Sequence, residues 1–138
     1  MEKDKEKKAQ EMYVEFQVLD QNIKQLQKQL EVITQQVFEL SVTSNGLEEF
    51  KKISVGKEIL VPLSSGIFVK ANIKDTEKLT VNVGANVAVN KDVASTKLLI
   101  QNQLQEIIKI QKQMVSELEK MTNEAAQLEM QLQSLVSQ

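Results

Sequence analysis

The sequence predicts a mainly α protein with a small β insert: two long helices zipped as an antiparallel coiled-coil hairpin and joined by two β-hairpins. Three observations predict it. Gln occurs 17 times, eight times between Gln10 and Gln36 and nine times between Gln101 and Gln138, and never between Val37 and Ile100. The only Pro (Pro62) and all four Gly (Gly46, Gly56, Gly66, Gly84) lie in that Gln-free middle, so two flanks free of helix breakers enclose a segment punctuated by turns. The apolar period is 3.5 residues in both flanks and two in the middle.

In the first flank Met12, Phe16, Leu19, Ile23, Leu26, Leu30, Ile33, Val37 and Leu40 recur at alternating steps of four and three. That is a heptad seam with Phe16, Ile23, Leu30 and Val37 at a and the others at d, sustained over four heptads, the signature of a coiled coil. The second flank repeats it with Ile100, Leu104, Ile107, Gln111, Met114, Leu118, Met121, Ala125, Leu128, Leu132 and Leu135. Only Gln111 is polar. It is either buried, fixing register or partner number, or it turns its amide outward. Helices of about 45 residues would be about 65 to 70 Å long. The middle segment returns the chain on itself, so the seams zip together and both termini meet at one far tip. Each buried Leu or Ile contributes roughly 1.5 to 3 kcal/mol before entropy, which makes this pairing the largest stabilising effect on offer.

In the middle, Leu79, Val81 and Val83 alternate with Thr80 and Asn82, and Ile67, Val69, Ala71 and Ile73 alternate with Phe68, Lys70 and Asn72. This is the pattern of half-buried strands. The run from Glu58 to Leu63 precedes them across a three-residue loop, Ser64 to Gly66, and Gly84, Ala85 and Asn86 turn the chain into Val87 to Asn90. Two consecutive β-hairpins result, joined by the polar turn Lys74 to Lys78. Pro62 donates no ladder hydrogen bond and marks an edge or bulge. Four short strands leave apolar faces and open edges that a two-helix stalk cannot cover, so the hairpins are expected to pair with those of other chains. The residues expected at that interface are Ile59, Val61, Leu63, Ile67, Val69, Leu79, Val81, Val83, Val87 and Val89.

Composition excludes most chemistry. His and Cys are absent, which removes the commonest general base, the thiolate nucleophile and zinc sites built on imidazole or thiolate. The net charge of -2 leaves no basic excess for a nucleic acid backbone. Aromatic residues are 4% and Trp is missing, so a ring-anchored globular core would be thin. Gly56-Lys57 is followed by Glu58 rather than Ser or Thr, with no Gly five positions earlier, so no phosphate cradle forms. Glu48 and Glu49 lie in a charge-mixed helical run, a solvated face rather than an acid and base pair. No enzyme, cofactor or metal is expected. No apolar run reaches membrane-spanning length, and the charged start MEKDKEKKAQE is not followed by a signal-length apolar stretch, so a cytoplasmic protein with no membrane partner is expected. The 138 residues read as a single domain: a helix over about 5–52, hairpins over 56–92 and a helix over 93–137.

The segment Gly56 to Asp92, with its LVPL strand, Ser/Gly turn, IKDT linker, VNVG turn and Lys-Asp entry to the second helix, resembles the hairpin region of alpha-class prefoldin subunits of the archaeal type. Two hairpins rather than one mark the alpha class. The resemblance implies a hexamer of two alpha-class and four beta-class chains, in which the hairpins build a β-barrel platform bearing six coiled-coil tentacles. It also implies an ATP-independent chaperone that holds unfolded polypeptides and passes them to a group II chaperonin.

Under that resemblance the apolar residues near the open end of the helical hairpin become candidates for client binding. Tyr13 (e), Val14 (f), Val18 (c), Met130 (f) and Val136 (e) lie off the seam there, beside the seam residues Met12, Phe16, Leu128, Leu132 and Leu135. The expected client site is Met12, Tyr13, Val14, Phe16, Leu128, Met130, Leu132 and Leu135, because Met and aromatic side chains at a frayed tip adapt to varied apolar segments. The alternative is that these merely widen a packed stripe, in a coiled-coil scaffold or a filament-forming prefoldin relative. Phe38, Leu99, Ile108 and Ile110 are expected to pack helix against platform.

Overall fold

The structure, a computed structural model, describes residues 2–137. Its elements run α1 (Glu2–Phe50), β1 (Glu58–Ser64), β2 (Ile67–Asn72), β3 (Lys78–Gly84), β4 (Val87–Asp92) and α2 (Val93–Val136). α1 starts ahead of the expected residue 5, with Glu2 and Asp4 in its first turn, where carboxylates offset the positive end of the helix dipole. It stops at Phe50, short of residue 52, as the chain turns into the hairpins. Two compact units make up the chain: Met1–Gln36 with Ile107–Gln138, and Val37–Glu106.

In the first unit the two helical segments run antiparallel. Tyr13 shares a cleft with Leu132 and Val136, Leu26 shares another with Met121, and the Gln111 side-chain amide donates to Thr34 Oγ1 at 3.2 Å. Partner numbers in α2 fall as those in α1 rise. Every seam position in this unit, from Met12 to Ile33 and from Ile107 to Leu135, is half-buried, and the seam continues through Ala9 to Lys5. None is fully buried, because a two-helix coil covers each a or d side chain from one side only. Gln111 is half-buried and bonded across the seam, so it takes the inward alternative.

The second unit holds the end of α1, both hairpins and the start of α2. Val37, Leu40, Ser44 and Leu47 continue the seam of α1, and Ile100 and Leu104 that of α2, as half-buried positions, and Glu48 pairs with both Lys97 across the helix pair and Lys51 just past the end of α1. β1 pairs with β2 and β3 with β4, each antiparallel, as two separate two-stranded sheets. The register is Ile59↔Ala71 and Val61↔Val69 in the first, Leu79↔Lys91 and Val81↔Val89 in the second.

Both turns are tighter than the sequence suggests. Ser64 pairs with Ile67, leaving Ser65-Gly66 as a two-residue loop with Gly66 at φ +79°. The register shift between Pro62 and Ser64 leaves Leu63 as the extra residue of a bulge, and the missing Pro62 donor sits beside it. The second hairpin repeats the device: Gly84 pairs with Val87, the shift lies between Asn82 and Gly84, and Asn82 Oδ1 accepts from the Gly84 N–H at 2.9 Å. Its turn residues Ala85 and Asn86 both have positive φ, 51° and 61°, the geometry of a type I′ turn. The linker between hairpins is tied by Asp75 Oδ1, which accepts from the backbone N–H of Glu77 at 2.8 Å and of Lys78 at 3.3 Å.

α2 opens on an N-cap. Asp92 Oδ1 accepts from the Ser95 backbone N–H at 2.6 Å, and the Thr96 hydroxyl donates to the Asp92 carbonyl at 2.8 Å. Val93 and Thr96, at 8% and 5% exposure, are the two buried side chains among the described residues.

Candidate functional site

Two sets of apolar side chains lack cover, one in each unit. In the first unit an open cleft of about 530 Å³ is lined by Tyr13, Leu132, Gln133, Val136 and Ser137. Tyr13 and Val136 both stand at e positions, on the same flank of the antiparallel seam, and are 55% and 77% exposed. Leu132, a half-buried a residue, forms the floor between them. No charged side chain lines this cleft. A second opening of about 360 Å³ lies alongside, where Leu135 and Val136 meet Glu2, Lys5, Glu6 and Ala9.

Of the eight side chains expected to act together here, Tyr13 and Leu132 line the cleft. Leu135 lines the neighbouring opening, and Met12, Phe16 and Leu128 are half-buried in the seam. Val14 and Met130 are exposed but occupy f, the outermost heptad position, so they lie off the cleft. Val136 lines the cleft although it lies outside that set, and its e position beside Leu132 is the signal that marks it as a seam flank. Val18, at c, is likewise exposed and off the cleft. What the cleft offers is burial: apolar area removed from water is worth about 25 cal/mol per Å², without regard to sequence.

The second set lies on the hairpins. Ile59, Val61, Leu79, Val81 and Val89 are half-buried, whereas Leu63, Ile67, Val69, Val83 and Val87 are exposed. Cover is thus confined to part of each hairpin, and the residues at the turns and bulges are bare. The opposite face of the first hairpin is apolar toward its turn: Leu60 and Phe68, the latter paired with Pro62, are 62% and 59% exposed, while Lys70, Glu58 and Asn72 make the rest of that face polar. Strict alternation assigns this face to solvent, so the period-two pattern carries no signal for them. The opposite face of the second hairpin is polar, with Thr80 Oγ1 donating to Asn90 Oδ1 at 3.2 Å. Leu99 and Ile108 are half-buried, and Phe38 and Ile110 are 62% and 44% exposed.

A prefoldin-subunit family model matches residues 19–138. The chain belongs to the prefoldin family. Among its curated relatives is the prefoldin subunit alpha of Methanococcus vannielii, 29% identical over 90% of this chain and 83% of the relative. Another is the prefoldin subunit alpha of Archaeoglobus fulgidus, 28% identical over 92% of this chain and 93% of the relative. These place it with the alpha class, in agreement with its two hairpins. Among solved structures, a chain of filamentous PFD from Methanocaldococcus jannaschii superposes with a TM-score of 0.70 over 88% of this chain and 98% of that one, at 16% identity. That likeness establishes the prefoldin fold of two long helices with two β-hairpins between them. Among the described residues no helix is long and apolar enough to cross a membrane.

Proposed function

We propose that this prefoldin chain is a subunit of an ATP-independent cytoplasmic holdase that grips unfolded polypeptides at the ends of its paired helices and passes them to a group II chaperonin. The observation that carries the reading is the uncharged cleft at Tyr13, Leu132 and Val136, an exposed apolar surface on the helices and distinct in sequence from the hairpins. Met12, Val14, Phe16, Leu128, Met130 and Leu135 widen the grip. Ile59, Val61, Leu63, Ile67, Val69, Leu79, Val81, Val83, Val87 and Val89 serve assembly, in a hexamer of two alpha and four beta chains whose hairpins close a β-barrel. The whole chain acts as one functional domain. No catalytic step, cofactor or metal enters this reading; affinity comes from many weak apolar contacts shared among several helix pairs.

Replacing Tyr13, Val14, Phe16, Met130, Leu132 and Leu135 together with Ser tests it. The assembled complex should keep its mass by native mass spectrometry and lose suppression of light scattering when a chemically unfolded client is diluted into it. ATP should change neither result in the absence of chaperonin. Full protection by the stripped complex would favour a second reading, a filament-forming scaffold, for which the filamentous solved neighbour is the supporting observation.

A further inference from the structure

α1 runs through a helix stop. Thr43, Ser44, Asn45 and Gly46 follow one another in it, and none is a strong helix former. The Thr43 hydroxyl donates to the Glu39 carbonyl at 2.9 Å, a back-bond that loosens the helix ladder. Ser44 occupies an a position, so the apolar seam of α1 lapses between Leu40 and Leu47. Gly46 is exposed with helical backbone, and a Cβ built on it would meet nothing within 4 Å, so no contact in this chain calls for glycine. The order Val42 to Leu47 is nonetheless that of a Schellman end: Asn45 last, Gly46 at the left-handed C′ position, and an apolar pair, Val42 at C3 and Leu47 at C″, that packs when the helix ends there. Val42 is 52% exposed as α1 stands. The end that α1 uses has no such cap. No residue from Phe50 to Val55 has positive φ, and the chain closes with the Lys52 N–H on the Glu49 carbonyl at 3.0 Å and the Ile53 N–H on that of Phe50 at 3.1 Å, the bonds of a tightened last turn. Tertiary contacts hold 47–50 helical: Leu47 and Phe50 are half-buried, and Glu48 pairs with Lys97 of α2.

We propose that α1 has two alternative C-terminal ends, one at Phe50 and one at Asn45 capped by Gly46, and that exchange between them is a hinge at which the hairpins change orientation relative to the helix that leads into them. The weak helix formers 43–46 and the latent cap favour the short end, whereas the seam contact of Leu47 and the Glu48–Lys97 pair favour the long one. In the short state residues 47–55 become a tether, up to the bonds that Gly56 and Lys57 make with Ile73. Backbone hydrogen bonds distinguish the states. The N–H groups of Gly46 and Leu47 have carbonyl partners in both, exchanging those of Val42 and Thr43, while Glu48, Glu49 and Phe50 lose theirs in the short one. The hinge does not depend on what the cleft of the first unit binds.

Hydrogen exchange of the full-length chain, read residue by residue by mass spectrometry with electron-transfer fragmentation, tests the two ends. Protection should fall in one step between Leu47 and Glu48, with Glu48, Glu49 and Phe50 exchanging together. Gly46→Ala, which strengthens the helix and disfavours left-handed backbone, should slow those three about tenfold or more. Val42→Ser alters an exposed residue and removes an apolar contact of the short end only, so it should slow them about twofold. Protection that fades gradually across 44–50, or a Val42→Ser variant that exchanges as fast as the wild type or faster, is the behaviour of a fraying helix end and would overturn the second end. Rates unchanged by Gly46→Ala would do the same. The chain has no cysteine, so spin labels on Phe38→Cys and Lys74→Cys report the reorientation by double electron–electron resonance. Their distance distribution should be broad and should narrow with Gly46→Ala; one equally narrow in both would overturn the hinge motion.

Discussion

At the scale of single residues, two side chains tie local chemistry to the architecture. Asp92 caps α2, and the Ser95 backbone N–H, then the Ser95 side chain, hold its carboxyl below the ordinary value of 3.8, with Lys91 and Lys78 adding to this and slight desolvation opposing it. Because the folded state lowers this group's proton affinity, the cap's contribution is complete above the unfolded value and is lost as pH falls through the lower folded one. Asp92→Asn, which keeps a capping acceptor, should remove this part of the acid sensitivity. Asp92→Ala should lower the melting point already at neutral pH. Melts followed by circular dichroism from pH 7 down to about pH 3 check both, and parallel acid profiles for wild type and the Asn variant would contradict the assignment. Gln111 is the second case. A half-buried seam amide bonded to Thr34 on the other helix should show a coupling of about 0.5 to 1.5 kcal/mol in a Gln111→Ala, Thr34→Ala double-mutant cycle. Additive effects would mean that the hydrogen bond fixes nothing.

At the scale of elements, the two hairpins share bulge and turn devices but differ in their second faces. Leu60, Pro62 and Phe68 make that face apolar toward the turn in the first hairpin, while Thr80, Asn82 and Asn90 make it polar in the second. The exposed apolar patch of Leu60, Pro62 and Phe68 at the turn end calls for cover, so Phe68→Ser should weaken assembly, whereas Thr80→Ala should leave it unchanged. Val81, half-buried opposite Val89, is the stricter test of the inner face. Val81→Asp would place an unpaired charge there and should disrupt the complex by several kcal/mol while circular dichroism still reports a mainly helical chain. Native mass spectrometry reads each case, and an intact complex with Val81→Asp would remove the inner face from the interface. The turn makes a smaller point: Ala85 adopts φ +51°, so Ala85→Gly should relieve left-handed strain and stabilise the second hairpin by about 0.5 to 1 kcal/mol in thermal melts.

At the scale of the whole molecule, Val93 and Thr96 alone are buried among the described residues, so the chain lacks the core that a stable monomer of its length needs. Alone at micromolar concentration it should form weak or irregular oligomers through its hairpins, and a defined heteromer should appear only when beta-class chains are added. A folded, monodisperse monomer by light scattering would refute this. Residue periodicity alone dictates the order of elements and both seams, because a 3.5-residue apolar period imposes a helix pair wherever it is sustained. It also determined the uncovered hairpins, because period-two segments with no third layer have nowhere to bury their faces. Short-range spacing did not reveal the two-residue turns with bulges at Leu63 and Val83, since loop length depends on which residues pair across the strands. Nor did it reveal the inward amide of Gln111 or the continuation of the seam through Ala9 and Lys5. A polar or small residue follows a seam only when the facing helix offers a partner or a groove, and the packing of the two helices alone decides that. The cleft was legible as a neighbourhood and not as a membership: heptad letters place Tyr13 and Val136 on seam flanks, but antiparallel register set them on the same flank with Leu132 between them and left Val14 and Met130 outside.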